Sequence, residues 1–291
     1  KDLENPDRVL VGSRETREGI KARKEIVEIY AHWVPREHII ESNIWSAELS
    51  KLTANAFLAQ RVSSINSISA LSEKTEADVD EVAYAVGTDS RIGAKFLKAS
   101  VGFGGSCFKK DILNLVYICR NYDLHEVADY WESVIKINAW QEKRFVKNIL
   151  HSMFNTIAGK KIAVLGFSFK ANTGDTRESP AMYIVRGLLE EHAQVVLSDP
   201  QALENAKIDL KDLDGEVLFE EDPYKASQGA HAIVVLTEWD EYRSLDYERL
   251  LSSMVKPAFI FDGRNILDHQ KLFEMGFNVY SIGKPPLKHF K

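Results

Sequence analysis

Cysteine is almost absent: Cys107 and Cys119 are the only two among 291 residues. A secreted fold held by disulfides would use more of them, so the expected compartment is the reducing cytoplasm. No apolar run approaches the length of a membrane-spanning helix. Cationic residues are not in surplus either, with 37 Lys and Arg against 43 Asp and Glu and a net charge of -6. A nucleic acid or an anionic membrane would call for clustered positive charge, so neither is expected as a partner, and an anionic ligand must be met by a few local cations. The opening residues Lys1-Asp2-Leu3-Glu4 carry no initiator Met and no signal-peptide pattern, from which a start inside a longer protein is expected. Internal repeats and low-complexity segments are missing too.

What is present, 45% hydrophobic residues, suffices for more than one buried core. Residues 1–42 read as a terminal βαβ-like piece: a strand around Val9, Leu10 and Val11, a charged amphipathic helix over residues 16–33, and a short extended stretch at residues 38–40. Such a piece cannot cover both faces of a parallel sheet, so the rest of that domain is expected upstream of Lys1. Residues 43–154 read as helical. Leu58, Val62, Ile65, Ile68 and Leu71 recur at the spacing of a buried helical stripe. Asp78, with Glu81 three residues on, opens a helix that stops at Gly87. Residues 108–121 are helical after a Gly-rich loop, and residues 125–154 form a long helix with Val127, Trp131, Val134 and Phe145 on roughly one face.

Over residues 155–283 the pattern changes to apolar strands at residues 162–165, 195–197, 232–236, 259–261 and 279–282, alternating with helix-compatible stretches. Ser179-Pro180 supplies an N-cap with proline at the first helical position. The alternation marks an α/β fold, with a Rossmann-like doubly wound parallel sheet joined by the long helix to the central helical domain. The tail, residues 284–291, with Pro285-Pro286 and further basic residues, is expected to be disordered.

The chemistry concentrates in Gly102-Phe103-Gly104-Gly105-Ser106-Cys107-Phe108-Lys109-Lys110-Asp111, where three glycines lead to a cysteine at a helix start. The helix N-terminus and nearby lysines favour a thiolate, the reactive form of cysteine. Asp111 lies one turn on, where its carboxylate can orient a water. The glycines would let backbone N–H groups approach an anion closely. A dinucleotide fingerprint is nearly matched, but no strand precedes the loop and Cys107 stands where a third glycine or alanine belongs, so that reading is rejected. A helix cap with a buried thiol is the plain alternative. Cys119, among Leu115, Val116, Tyr117 and Ile118, reads as an inert core residue.

This segment resembles the active-site segment of the UDP-glucose 6-dehydrogenases. So do Glu48-Leu49-Ser50-Lys51-Leu52-Thr53-Ala54-Asn55-Ala56-Phe57, Arg91-Ile92-Gly93, Phe96-Leu97-Lys98-Ala99-Ser100, Gly166-Phe167-Ser168-Phe169-Lys170, Asp175-Thr176-Arg177-Glu178-Ser179 and Phe261-Asp262-Gly263-Arg264, in family order across nearly the whole chain. The resemblance implies oxidation of UDP-glucose to UDP-glucuronate with NAD as cofactor, Cys107 forming a thiohemiacetal and then a thioester. It implies that Lys51 and Asn55, four apart on a helix, hold the developing oxyanion, and that Asp111 completes the catalytic set. Substrate contacts are implied for Lys51, Leu52, Thr53, Ala54 and Asn55, for Lys98, Ala99, Ser100, Val101, Gly102, Phe103 and Gly104, and for Phe169, Lys170 and Arg264. Arg91 is implied to reach a neighbouring subunit's site. Cys107, Phe108, Lys109, Lys110 and Arg177 are implied to lie beside NAD, and a homo-oligomer, dimer or hexamer, is implied through the central helices. No metal is expected.

The family's amino-terminal Rossmann domain and its Gly-rich fingerprint do not occur in these residues, so the chain by itself is expected to be inactive or nearly so. Asp199 lies too far from the first strand of the later sheet to be a ribose ligand and reads as a turn residue before Pro200. Two alternatives stay open at this level: a dehydrogenase of another nucleotide sugar, GDP-mannose or a UDP-N-acetylhexosamine, and a non-catalytic substrate-binding or assembly fragment.

Overall fold

The apolar run at Val9 forms β1 (Val9–Ser13), which pairs in parallel with β2 (Ile39–Asn43), Val9 opposite Ile39 and Ser13 opposite Asn43. Between them lies α1 (Arg17–Tyr30), whose first turn is capped by Thr16, its hydroxyl accepting the Gly19 amide at 3.1 Å. The computed structural model describes residues 3–215 and 217–290 and divides into two compact units between Phe57 and Leu58. The long helix α2 covers Ile44–Ser72.

In the second unit α2 is followed by α3 (Val79–Gly87), α4 (Phe108–Asn121) and α5 (His125–Ser152). Asp78 caps α3 by accepting the Asp80 amide at 2.8 Å, as the sequence indicates. The buried stripe of α2 differs from the expected one. Ile65 is buried, but Ile68 and Leu71 are exposed, and the inward positions are Ala59, Ser63, Asn66 and Ser69. The reason is contact with backbone: Ser63 donates to the Val134 carbonyl at 2.9 Å, and Asn66 accepts the Ser100 amide at 2.8 Å, which bulky aliphatic residues could not do. On α5, Val127 is likewise exposed, and the inward stripe runs through Ala128, Trp131, Val134, Asn138, Gln141, Phe145 and Ile149.

After α5 come β3 (Lys161–Leu165), α6 (Pro180–Glu190), β4 (Gln194–Ser198), α7 (Leu203–Leu210), β5 (Val217–Phe219), α8 (Pro223–Ser227), β6 (Ala232–Val235), α9 (Asp240–Arg243), α10 (Tyr247–Ser253), β7 (Phe259–Asp262), α11 (His269–Met275) and β8 (Asn278–Ser281). The six strands form one parallel sheet in the order β5-β4-β3-β6-β7-β8. Successive side chains alternate between faces. Ile162, Val164, Val195, Leu197 and Phe261 share one core with Phe145 and Ile149 of α5 and with α6, while Ala163, Leu165, Ile233, Val235 and Ile260 share the other with Leu250 and Leu272. Both faces are covered, as a parallel sheet requires. β5 went unseen in the sequence because it is a three-residue edge strand that is nowhere fully buried.

Residues 284–290 depart from the expectation of disorder. Leu287 exchanges two backbone hydrogen bonds with Val279, at 2.7 and 3.0 Å, and Phe290 packs on Phe154 and Phe259. Lys284 pairs with Asp78 at 3.1 Å and Asp80 at 2.7 Å, which ties this segment to the start of α3. The prolines end the preceding element, and one apolar and one aromatic anchor then hold the segment. Asp78→Ala is expected to lower the unfolding free energy by about 1–2 kcal/mol through the lost cap and ion pair. Lys284→Ala in that background should cost less than it does alone; strictly additive costs in urea titrations would show that the tail is not fastened here.

Candidate active site

The N-terminus of α4 presents Cys107 as its cap residue, with the Asp111 amide donating to the Cys107 carbonyl at 2.9 Å. The thiol is exposed and its sulfur lies 3.7 Å from the Ser106 hydroxyl. Asp111 is 3% exposed, on the inward side of the same turn. Arg177 brings a cation to the sulfur. Its guanidinium is held above its ordinary range first by hydrogen bonding to Asp175, then by the charge of Asp175, and to a smaller extent by Cys107. Cys119 is buried and belongs to the apolar side of α4.

The loop before Cys107 is built by close approach. Gly102 has φ +139°, and a Cβ there would lie 2.9 Å from Asn138 Oδ1; at Gly104 a Cβ would lie 2.5 Å from the Glu178 carbonyl oxygen. The loop amides are less available to a ligand than the sequence suggested. Val101 donates to the Gly263 carbonyl at 2.9 Å, Gly102 to Ser100 Oγ at 3.3 Å, Phe103 to Asn138 Oδ1 at 2.8 Å and Gly105 to the Arg177 carbonyl at 2.9 Å. The glycines therefore serve packing before they serve anion binding. Three buried side-chain amides hold the segment: Asn66 of α2 accepts the Ser100 amide, Gln141 of α5 donates to the Ser100 carbonyl at 2.8 Å, and Asn138 of α5 brackets Phe103, accepting its amide and donating to its carbonyl at 3.2 Å.

The loop separates two clefts. One, of about 280 Å³, is lined by Lys98, Ser100, Gly102, Phe103, Gly104, Phe108, Phe169 and Arg264, with Phe96, Val62 and Glu238 completing the wall. Phe103 meets Phe108 edge-on with ring centres 5.7 Å apart. Arg264 donates to the carbonyls of Leu236 at 2.7 Å and Phe169 at 3.0 Å and lies 3.2 Å from Glu238; burial pulls it below its ordinary range against the carboxylates of Glu238 and Asp262. A guanidinium carries more donors than two carbonyls use, so the same group can face the cleft. The side chains of Ala99 and Val101 are fully buried, while their neighbours Lys98, Ser100 and Gly102 line the cleft. Lys170 and Lys110 are exposed.

The second cleft, of about 430 Å³, lies behind Phe103, Gly104 and Gly105 against α5 and α6. Lys109 turns into it, donating to Glu178 at 2.7 Å and Tyr183 at 3.1 Å; against the opposing effect of burial, those bonds hold the ammonium above its ordinary range. Glu142, 6% exposed, accepts from Asn138 Nδ2 at 2.9 Å, and burial pushes its pKa up to about 8.

Two carboxylates support the loops at the sheet's carboxyl edge. Asp199 accepts the amides of Phe167 at 2.7 Å, Ser168 at 3.0 Å, Gln201 at 2.9 Å and Ala202 at 2.8 Å, so it anchors the strand end before Phe169 as well as its own turn. Asp262 accepts the amides of Arg264, Ile266 and Leu267 and the His269 ring, and although burial opposes it, these bonds hold its carboxyl below the usual range. Sequence reasoning missed Asn66, Asn138, Gln141, Glu142 and these two roles. The available signal was a run of polar residues at the inward positions of α5 between Val134 and Phe145.

Lys51, Leu52, Thr53, Ala54 and Asn55 lie in the part of α2 that belongs to the first unit, with Lys51 exposed, Leu52 buried, and Thr53, Ala54 and Asn55 half-buried. Arg91 is exposed and pairs with Asp89 at 2.6 Å in its own turn, which Arg61 supports by donating to the Ile92 carbonyl at 2.8 Å. Among the described residues no helix is long and apolar enough to cross a membrane, and no cluster of three or more His, Cys, Asp or Glu could hold a metal ion.

A parallel six-stranded sheet carrying a cationic, aromatic cleft at its carboxyl edge, with an exposed thiol at a helix start beside it, defines a doubly wound α/β protein. Two models of one family match it: the UDP-glucose/GDP-mannose dehydrogenase family, central domain, over residues 45–140, and the same family's UDP binding domain over residues 163–269. The chain belongs to the UDP-glucose/GDP-mannose dehydrogenase family. It is 58% identical to UDP-glucose 6-dehydrogenase 4 of Arabidopsis thaliana and 59% identical to UDP-glucose 6-dehydrogenase 5 of Oryza sativa subsp. japonica, in each case over 98% of this chain and 63% of the relative. The chain thus spans less than two thirds of those proteins. Among solved structures, a UDP-glucose dehydrogenase from the hyperthermophilic archaeon Pyrobaculum islandicum superposes with a TM-score of 0.83 at 30% identity, covering 98% of this chain and 60% of that one. UDP-D-ManNAc dehydrogenase from Pyrococcus horikoshii gives 0.78 at 25% identity, covering 97% and 61%.

The raised pKa of Glu142 makes a stability prediction. Between the ordinary value of 4.5 and about 8 the folded state keeps a proton that the unfolded state has lost, so this group's contribution is full below 4.5 and is lost as pH rises through about 8. Glu142→Gln is expected to melt at a higher temperature than the parent at pH 8, the advantage shrinking to nothing as pH falls to 4.5. Equal melting temperatures at both ends, measured by calorimetry, would contradict this assignment.

Proposed function

We propose that this chain forms the substrate-binding and catalytic part of an NAD-dependent UDP-glucose 6-dehydrogenase that oxidises UDP-glucose to UDP-glucuronate in two steps. The observation that carries the reading is the exposed Cys107 thiol at the start of α4, one residue from Phe108 in the wall of a cleft that also holds Lys98, Phe169 and Arg264. Cationic and aromatic lining suits a nucleoside diphosphate, with Lys98 and Arg264 meeting the diphosphate. The named relatives at 58–59% identity favour UDP-glucose over GDP-mannose or a UDP-N-acetylhexosamine.

NAD, when bound, supplies the acceptor for each of the two hydrides. The residues fit its nicotinamide end: Cys107 is exposed, Phe108 lines the neighbouring wall, Lys110 is exposed, and Arg177 sets a cation beside the sulfur. Lys109 supports this end from behind through Glu178. The C6 alcohol first becomes an aldehyde. The Cys107 sulfur, reacting as the thiolate, adds to the aldehyde carbon and gives a thiohemiacetal. Loss of the second hydride leaves a thioester, and water adds to its carbonyl with Asp111 accepting the proton; the C–S bond then breaks, releasing carboxylate and regenerating the thiolate. Lys51 and Asn55, one turn apart on α2, are the proposed ammonium and amide donors to the oxygen that carries negative charge in these steps. The assembly is a homo-oligomer, dimer or hexamer, in which Arg91 reaches a neighbouring site, and it works in the cytosol, where two unpaired cysteines are stable.

Titration calorimetry should show UDP-glucose binding that GDP-mannose does not displace. Arg264→Leu should weaken it by about 2–4 kcal/mol, the worth of a desolvated charge-assisted contact. Cys107→Ala should bind UDP-glucose as the parent does yet form no UDP-glucuronate, whereas the active protein yields two NADH per product. Failure of UDP-glucose to bind, or product formation by Cys107→Ala, would refute the assignment.

A further inference from the structure

The loop that carries the nucleotide-sugar contacts is shared by the two clefts: Phe103 and Gly104 line both. At Phe103 its grip on α5 is the side chain of Asn138. Asn138 Oδ1 must face the Phe103 amide, at 2.8 Å, because only oxygen can accept it, and this fixes Nδ2 toward the Phe103 carbonyl at 3.2 Å and Glu142 Oε1 at 2.9 Å. Gly102 makes room for the Asn138 side chain, since a Cβ there would lie 2.9 Å from its oxygen. Every partner of the amide is therefore assigned, and Glu142 is the only one that can change charge.

We propose that Asn138 and Glu142 act as a positioning pair for the nucleotide-sugar loop, Asn138 clamping Phe103 and protonated Glu142 holding the clamp from the second cleft. The neutral carboxyl stays at Asn138 in a buried position. The carboxylate is drawn to water and to the cations of the second cleft, Lys109 from α4 and Lys143 from α5, and leaves Nδ2 with one partner fewer. Glu178 opposes the ionisation, Arg186, Glu190 and Glu191 of the α6 side line the same cleft, and Tyr183 stays neutral over the range concerned. The burial of Glu142 places the change near pH 8.

The pair is argued as acting on the loop that the proposed function assigns to UDP-sugar, and two measurements separate the two claims. Exchange of the Phe103 amide hydrogen in the ligand-free chain needs no substrate. At pH 9 it is expected to be about tenfold slower in Glu142→Gln than in the parent, because the amide oxygen replaces the carboxyl and cannot ionise, and the two should be equal at pH 6.5. Asn138→Ala should exchange fast at both pH values. UDP-glucose affinity should fall about tenfold from pH 7 to pH 9 in the parent and stay level in Glu142→Gln, with Asn138→Ala weak throughout. Exchange and affinity profiles that are the same in parent and Glu142→Gln would overturn the proposal. Exchange that behaves as stated while UDP-glucose fails to bind would uphold the clamp and sink the functional assignment instead.

Discussion

Three buried amide side chains hold the segment from Ser100 to Phe103 to the helices on either side of it. Without Asn66, Asn138 and Gln141 this segment would bury backbone N–H and carbonyl groups with no partner, at about 1–3 kcal/mol each. With them, a stretch that has no regular structure acquires a fixed path between α2, α5 and the sheet. The path sets which loop residues face which cleft and delivers the chain to Cys107 in a defined direction. It also explains the character of α2, whose inward positions are serine, alanine and asparagine rather than leucine: they face backbone, and small polar residues permit that approach.

Support of the same kind recurs at the sheet. Asp199 and Asp262 each collect several amide donors at a strand end, one fixing the approach to Phe169 and the other the turn that presents Arg264. A carboxylate in that setting is satisfied chiefly by backbone amides. Lys98 and Arg264, the latter 3.2 Å from Glu238, are the cleft's cations in a chain with a net charge of -6. The supporting amides and carboxylates are buried, while Cys107 and Arg177 stand exposed.

Much of the scaffold could be read from residue order. The strands β3, β4, β6 and β7 are short, mostly apolar and buried runs, and with the edge strand β8 they fall within a residue or two of their expected places, as do the caps at Asp78 and Ser179 and the start of α4 at Phe108. β5, Val217–Phe219, escaped because three apolar residues are too short a run to stand out. The inward face of α2 escaped because periodicity counts apolar residues and this face is polar. The supports of the loop escaped for a deeper reason: Asn138 meets Phe103 across 35 positions and Gln141 meets Ser100 across 41, so nothing local to either residue announces the partner. The cysteine and its glycines could be singled out locally, while the reason for Gly102 and Gly104, the close approach of Asn138 and of the Glu178 backbone, could not.

Glu142 is the member of this arrangement that stability alone does not explain. A carboxyl buried beside Asn138 and held to a pKa of about 8 is a group that folding disfavours at neutral pH, because the unfolded chain could ionise it freely. Glutamine would offer Asn138 the same oxygen without that penalty, and methionine would fill the space with no polar group to satisfy. Local choices that cost stability without repaying it in packing concentrate where a protein does its chemistry. The position fits that pattern, since the acid does not touch the thiol or line the cleft of Lys98 and Arg264, yet it is hydrogen-bonded to the one side chain that brackets the loop between them. Its cost is intelligible as the requirement for a titratable contact at the back of a site whose front is built from permanently charged groups.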